Sequence, residues 1–382
     1  MAGVYERLGL APAINARGTY TDLGGSRLSP GVWRAMEESN RSFIEMEDLL
    51  QKSGDAIAQM LGVEAARVTP GVSAALALSA AACVTRGDGR AIERLPDTAQ
   101  LPNEVLIQHG HRYKYDRCLR LAGIDLKEIG SGTQITAKEL EAAFSPKVAM
   151  AIFPAHLDGA QGTLPLEEFS KVARDKGVPI VVDAAYKVDP PEQMRSWFDR
   201  GSDLVCISSK YLGGPNSGGF VFGRRKVIDW IAACDFTGFE SSDYLTFGRP
   251  FKLDRQIIVG VTEAVREWVS SDHQARLTTY NTQVSNLSAI VDKIAGARLM
   301  PRFFTMEETL EEGPTNCLQI ILPKAVDARA VAQRLRERAP RVLLHVFGNS
   351  LAVAMEVVVP GEELIIGRRI AEEVASMGGG RG

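Results

Sequence analysis

Residues 203–219 read DLVCISSKYLGGPNSGG, with the lysine at position 210. A short apolar strand, Asp203–Ile207, ends in two serines and Lys210, then runs into Gly213, Gly214, Gly218 and Gly219. One strand earlier, VPIVVD closes on Asp183. A lysine beside glycines is ordinarily a solvated loop residue, and an aspartate after a buried strand is often a helix cap. Together, at the ends of successive strands, they match the needs of pyridoxal phosphate (PLP) chemistry. The lysine can hold the cofactor as a Schiff base, and the aspartate can keep the pyridine nitrogen protonated.

Working outward, the same rhythm repeats. Strands are expected at Val105–Gln108, Leu126–Ile129, Val148–Phe153, Val178–Val182 and Asp203–Ile207, with Gly218–Gly223 added where the chain returns. A helix at about Ser73–Val84 precedes them, and helices at about Tyr113–Ala122, Ala137–Phe144, Leu166–Lys176 and Pro191–Phe198 fall between them. Val- and Ile-rich strands alternating with helices predict a mostly parallel α/β sheet covered on both faces. A helical stretch at Arg255–Ile294 leads to a small α+β domain. The expected organisation is an N-terminal arm over 1–45, a large domain over 46–255, and a linking helix with a small domain over 256–382.

Composition narrows the function classes. A net charge of −3 over 382 residues argues against nucleic-acid binding as the main role. Five scattered cysteines without a CxxC pair suit a reducing compartment and no structural zinc. The start, MAGVYERLGL, lacks the pattern of a secretory signal, and no apolar run approaches a membrane span. A cytoplasmic enzyme with no metal, membrane or nucleic-acid partner is expected. The glycines of the arm do not form GxGxxG after a strand, and no GxSxG elbow or phosphate-loop lysine motif is present.

In open α/β sheets, ligands lie beyond the C-terminal strand ends. Thr69-Pro70-Gly71-Val72-Ser73 opens an alanine-rich helix, whose amides form an anion site. His109-Gly110-His111-Arg112 follows one strand; a histidine there can lie over a pyridine ring or act as acid or base. His156-Leu157-Asp158-Gly159 follows another strand, placed for the cofactor or the substrate. Gly248-Arg249-Pro250-Phe251-Lys252 offers two cations for a carboxylate or phosphate.

These segments resemble the selenocysteine-synthase-like PLP enzymes of aspartate-aminotransferase fold (fold type I), most of all the D-glucosaminate-6-phosphate ammonia lyase-like branch. The resemblance rests on INARGTYTDLGGS, VTPGVSAALALSAAACV, LPNEVLIQHGHRYKYD, LPLEEFSKVARDKGVPIVVDAA, GSDLVCISSKYLGGPNSGGFVFGRR and GRPFKLDRQIIVGVTEAV, spread over residues 13–267. It implies Lys210 as the Schiff-base lysine and Asp183 as the partner of the ring nitrogen. Gly71, Val72, Ser73 and Ser208 would hold the phosphate, and His111 would stack on the ring. Arg112, His156, Arg249 and Lys252 are the candidate substrate contacts, with Arg17 a further cation. Two departures stand out: Ile207-Ser208-Ser209 replaces a glycine-rich run before the lysine, and Tyr186-Lys187 intrude after Asp183. The tRNA-binding N-terminal domain of true selenocysteine synthases has no counterpart ahead of residue 13, so a tRNA role is not expected.

The expected reaction begins with removal of a Cα proton from a small anionic amino acid. A leaving group at Cβ then gives β-elimination, ammonia and a 2-keto acid, as in an ammonia lyase acting on a hydroxylated or phosphorylated amino (sugar) acid. Without one, the outcome is racemisation or epimerisation. A selenium transferase-like reaction and a non-catalytic ligand-binding module are the remaining alternatives. The resemblance further implies a homodimer or larger assembly.

Overall fold

The computed structural model describes residues 3–131 and 134–378. The chain forms two compact units, one of Arg27–Ser271 and one of Met1–Ser26 with Asp272–Gly382.

The Arg27–Ser271 unit is built on seven strands: β1 (Ala65–Thr69), β2 (Glu104–Gln108), β3 (Asp125–Ile129), β4 (Val148–Pro154), β5 (Ile180–Asp183), β6 (Leu204–Ser208) and β7 (Gly219–Gly223). Their order in the sheet is β1-β7-β6-β5-β4-β2-β3. All pairs are parallel except those that β7 makes with β1 and β6. The central strands are buried along their whole length, as β4 shows with VAMAIFP. Continuous apolar runs of this kind belong to strands covered on both faces. Leu106, Phe153, Val182 and Ile207 pack on one face. Val105, Ile107, Ile152 and Cys206 pack on the other.

β7 is antiparallel because the chain between it and β6 is too short for the crossover that a parallel neighbour needs. Its first residue, Gly219, therefore pairs with both Thr69 and Ser208, the last residues of β1 and β6. One edge of the sheet thus collects the C-terminal ends of the parallel strands and the start of β7. The helix Gly71–Thr85 leaves that edge buried from Ala74 to Thr85, which explains why it is apolar all round.

Several expected boundaries move. The stretch 255–294 is two helices, Arg255–Ser270 and His273–Val291. The Asp272 carboxylate accepts the Ala275 amide at 2.9 Å and starts the second helix as its N-cap. The division between the units falls at this break and not at residue 255. The arm also divides. Residues up to Ser26 belong with the C-terminal unit, whereas the helix Pro30–Ser39, capped by Ser29, belongs with the sheet unit. The segment expected as a helix from Tyr113 is a 3₁₀ stretch, Asp116–Ala122. Strand β1 and the helix Arg225–Cys234 are additional to the expected elements.

The other unit carries a five-stranded antiparallel sheet, ordered Leu310–Glu311, Arg298–Phe304, Cys317–Ile321, Ser350–Ala354, His345–Phe347. Ala13–Asn15 of the arm pairs in parallel with Arg341–Leu343. This unit is α+β, as expected. No described helix is long and apolar enough to cross a membrane.

Candidate active site

Asp183 ends β5 and Lys210 lies two residues beyond the end of the neighbouring strand β6. Both are buried. The lysine's loop is pinned through its backbone. Ser208 N–H donates to Ala185 O at 3.0 Å, Ser209 N–H to Gly218 O at 3.1 Å, and Gly214 N–H to Ser209 O at 2.9 Å. The Ser209 hydroxyl donates to Pro215 O at 2.6 Å. This loop carries Lys210, whose Nζ lies 4.9 Å from the centre of the Tyr211 ring.

Asp183 has an unusual partner set. Its Oδ2 accepts the Tyr113 hydroxyl at 2.6 Å, and its Oδ1 accepts the Ala185 amide at 3.2 Å. Burial pushes its carboxyl up, against the lowering effect of these two donors. Among the described residues, no lysine or arginine makes an ion pair with it. A buried carboxylate held by two neutral donors at a strand end fits a cationic ring nitrogen. The sign of this burial gives a prediction for the cofactor-free protein. A group whose folded pKa is raised contributes stability below its unfolded pKa, lost as pH rises through the folded value. Asp183→Asn is therefore expected to raise the melting temperature at pH 7 by a few degrees, with the difference closing near pH 4. A thermal melt across this range, followed by circular dichroism, checks it.

The Thr69-Pro70-Gly71 turn lies at the same edge, with Gly71 in the left-handed region at φ +77°. Gly71 and Val72 are half-buried and Ser73 is exposed, in the first turn of a fifteen-residue helix. Gly219 presses on this turn. A Cβ on it would lie 2.8 Å from Ile207 O and 2.9 Å from Gly71 Cα. Both contacts are backbone, so neither can swing away. Gly219→Ala is expected to cost about 1–3 kcal/mol of stability and to weaken cofactor binding by displacing Gly71; urea unfolding and cofactor titration measure the two effects.

The histidines separate. His111 is fully buried. Its Nε2 lies 3.1 Å from Leu157 O and its Nδ1 lies 3.4 Å from Gln108 Nε2. Its ring meets Phe153 edge-on at 4.6 Å. Burial pushes its pKa down to about 4, so it is neutral, with Nε2–H donating to the carbonyl. The resemblance gives this residue a ring-stacking role, whereas the contacts it makes here are with Gln108, Leu157 and Phe153. His111 thereby ties the loop after β2 to the loop after β4. His109 is exposed and bonds Glu128 at 2.9 Å.

His156 is half-buried and belongs to a band of rings. Its centroid lies 5.2 Å from that of Tyr113 and 6.0 Å from that of Tyr186, which in turn lies 5.8 Å from Tyr211. The intruding pair after Asp183 thus becomes part of this band, with Lys187 Nζ 5.3 Å from the Tyr186 ring. Tyr113 entered the sequence reading only as a neighbour of the histidines and Arg112 at a strand end, and its partner Asp183 was missed. The available signal was its position five residues beyond the strand VLIQ.

The expected anion-binding arginines are engaged elsewhere. Arg112 Nε donates to Asp116 at 2.5 Å and its Nη1 donates to Glu128. Arg249 Nε donates to Glu240 at 3.3 Å, and its guanidinium lies over Phe239. Lys252 is exposed. Arg17 pairs with Asp22 at 3.4 Å within the other unit. The Arg249–Phe251 turn is nonetheless near the helix start, because Phe251 and Leu253 line one small cavity with Thr69 and Pro70. Among the described residues no cluster suited to a metal ion occurs.

The family model of SelA: L-seryl-tRNA selenium transferase matches residues 14–294. The chain is 32% identical to the 5'-C-glycyluridine monooxygenase-decarboxylase of a Streptomyces species, over 98% of this chain and 93% of that one. It is 31% identical to the D-glucosaminate-6-phosphate ammonia lyase of Salmonella typhimurium (strain 14028s / SGSC 2262), over 77% of this chain and 76% of that one. A solved structure of a D-glucosaminate-6-phosphate ammonia-lyase superposes with a TM-score of 0.85 at 26% identity, covering 99% of this chain and all of the other. The chain belongs to the SelA family and is a PLP-dependent, lyase-like enzyme of fold type I.

Proposed function

We propose that this protein removes the Cα proton of a small anionic amino acid and acts as a β-eliminating ammonia lyase on a hydroxylated or phosphorylated substrate. One observation carries the reading: the buried Asp183 and Lys210 lie at and just beyond the C-terminal ends of adjacent parallel strands. Similarity to D-glucosaminate-6-phosphate ammonia lyase over nearly the whole chain supports the reaction class.

PLP, when bound, supplies an electron-accepting ring joined to the substrate nitrogen. Lys210 would hold it, and its Nζ is the group that would take up the Cα proton. Asp183 would partner the ring nitrogen as an anion. Gly71, Val72 and Ser73 offer amides and a hydroxyl at a helix N-terminus for the phosphate, with Ser208 on the neighbouring strand end. His156, half-buried in the ring band, would contact the cofactor or substrate, and His111 positions the loop that carries it. Of the cations, Lys252 stays in the reading as a substrate contact, whereas Arg112 and Arg249 must first leave their carboxylates. The same reading places the enzyme in the cytoplasm as a homodimer or larger assembly, which light scattering of the purified protein measures.

A second reading, oxidative decarboxylation of a glycyl-substituted nucleoside, is favoured by the near full-length similarity to the Streptomyces protein. The engagement of Arg112 and Arg249 with carboxylates, and the band of four rings, point the same way, since rings suit a flat substrate better than a phosphate.

The test is proton exchange in heavy water. PLP-loaded protein is mixed with hydroxylated and phosphorylated amino acids of both hands, D-glucosaminate-6-phosphate and 5'-C-glycyluridine included, and followed by NMR and an oxygen electrode. A deuterated 2-keto acid with released ammonia is the expected result. Deuterium at Cα of an intact amino acid makes the enzyme a racemase. Oxygen uptake with release of carbon dioxide makes it the decarboxylase.

A further inference from the structure

Tyr113 approaches Asp183 from across the sheet. It follows β2, whereas Asp183 ends β5, and β4 lies between those two strands. Reaching over the end of β4, its hydroxyl donates to Asp183 Oδ2 at 2.6 Å. That length is typical of a hydroxyl donating to an ionised carboxylate. The Tyr113 amide lies 3.3 Å from Asp116 Oδ2, and the ring is braced by Tyr115 and His156.

The electrostatics give the bond a direction. Burial, then the Asp183 charge, push the Tyr113 phenol well above its usual pKa, so it remains a donor at any working pH. Burial pushes the Asp183 carboxyl up, and the Tyr113 hydroxyl is the larger of the two groups opposing it. The other groups facing the pair are the Cys206 thiol on β6, held un-ionised by burial, and the Asp116 carboxylate beside Tyr113. Lys210 follows two residues beyond the end of β6. A carboxylate that already accepts a strong hydrogen bond is less basic. A proton shared with a ring nitrogen then rests on the nitrogen.

We propose that Tyr113 is a positioning residue that fixes Asp183 as an oriented anion and through it keeps the cofactor's ring nitrogen protonated. The proposal rests on the reading of Asp183 as the ring-nitrogen partner. It assigns Tyr113 no contact with the reacting atoms.

The experiment reconstitutes the parent, Tyr113→Phe, Asp183→Asn and the double variant with ¹⁵N-labelled PLP. The ring-nitrogen resonance is followed against pH, and the cofactor dissociation constant is measured for each. In Tyr113→Phe the resonance is expected to move toward the unprotonated value and its titration midpoint to fall. Cofactor affinity is expected to drop roughly tenfold, the scale of one hydrogen bond to a charged group. In the Asp183→Asn background, Tyr113→Phe should add nothing. A parent-like resonance and titration in Tyr113→Phe, with Asp183→Asn shifted, overturns the proposal and leaves the Asp183 reading standing. If Asp183→Asn is parent-like as well, that reading falls and the proposal with it. Should Tyr113→Phe not fold, 3-fluorotyrosine at position 113 keeps the shape and strengthens the donor. Its titration midpoint should rise, and an unchanged one overturns the proposal.

Discussion

A Lys210→Ala protein is expected to bind PLP without a covalent bond and to lose activity by about 10³-fold or more, within the range removed with a positioned acid–base group. The parent, reduced with borohydride and digested, should carry the pyridoxyl mass on the peptide containing Lys210, and the variant should carry none. Lys187 is the informative control. Its ammonium lies over Tyr186 as that of Lys210 lies over Tyr211, and the two rings are neighbours. Lys210 differs in being buried, on a loop pinned by Ser209, Gly214 and Gly218. Lys187→Ala should keep the covalent cofactor, and a pyridoxyl mass on the Lys187 peptide would transfer the anchoring role. Lys210→Arg should fail like alanine, because a guanidinium keeps its charge but does not give up its proton.

What the sequence made legible was the edge where chemistry collects. Strand-then-helix alternation placed Asp183, Ser208, Lys210 and the Gly71–Ser73 turn at strand ends, and those positions required no knowledge of packing. Contacts between distant segments were not legible. Tyr113 and Asp183 are seventy residues apart, and nothing local to either announces the other. His111 and His156 look alike in sequence, each just after an apolar strand, yet packing closes one into the core against Phe153 and leaves the other half-buried. Some signals were present and unread. Arg112 stands four residues before Asp116, a spacing that pairs charges within one turn. Asp272, three residues before Ala275, is an N-cap inside what looked like one long helix. Strand β1 was hidden by Arg67, a charge in the middle of a five-residue strand, where an apolar residue is the usual occupant.

Arg67 is also where the largest loss of stability is expected. It lies two residues before Thr69 and is only 2% exposed. Its Nε donates to Asp235 Oδ2 at 2.7 Å, its Nη2 also reaches Asp235, and Nη1 and Nη2 grip Glu47 at 2.9 and 2.7 Å. Thr237 closes the cluster with its hydroxyl 2.6 Å from both carboxylates. Burial raises the Glu47 carboxyl, but the Arg67 and Thr237 bonds outweigh it and hold the group below its usual value. Glu47 is half-exposed and can turn to water if the arginine is removed; Asp235, at 5% exposure, cannot. Arg67→Ala leaves that carboxylate buried with only Thr237 for company, at an expected cost of about 3–5 kcal/mol, the usual result of stranding one half of a buried ion pair. The same deletion loosens the Thr69-Pro70 turn, so affinity for the cofactor phosphate should fall with stability. Urea unfolding of the cofactor-free protein measures the first, and PLP titration the second. Arg67→Met with Asp235→Leu removes both charges and keeps the volume filled. That pair should recover most of the stability, because the penalty comes from the unpaired charge and not from the loss of the bridge itself. A loss in Arg67→Ala below about 1 kcal/mol, the level of a surface pair, would mean that water reaches Asp235 and that the cluster does not brace the turn.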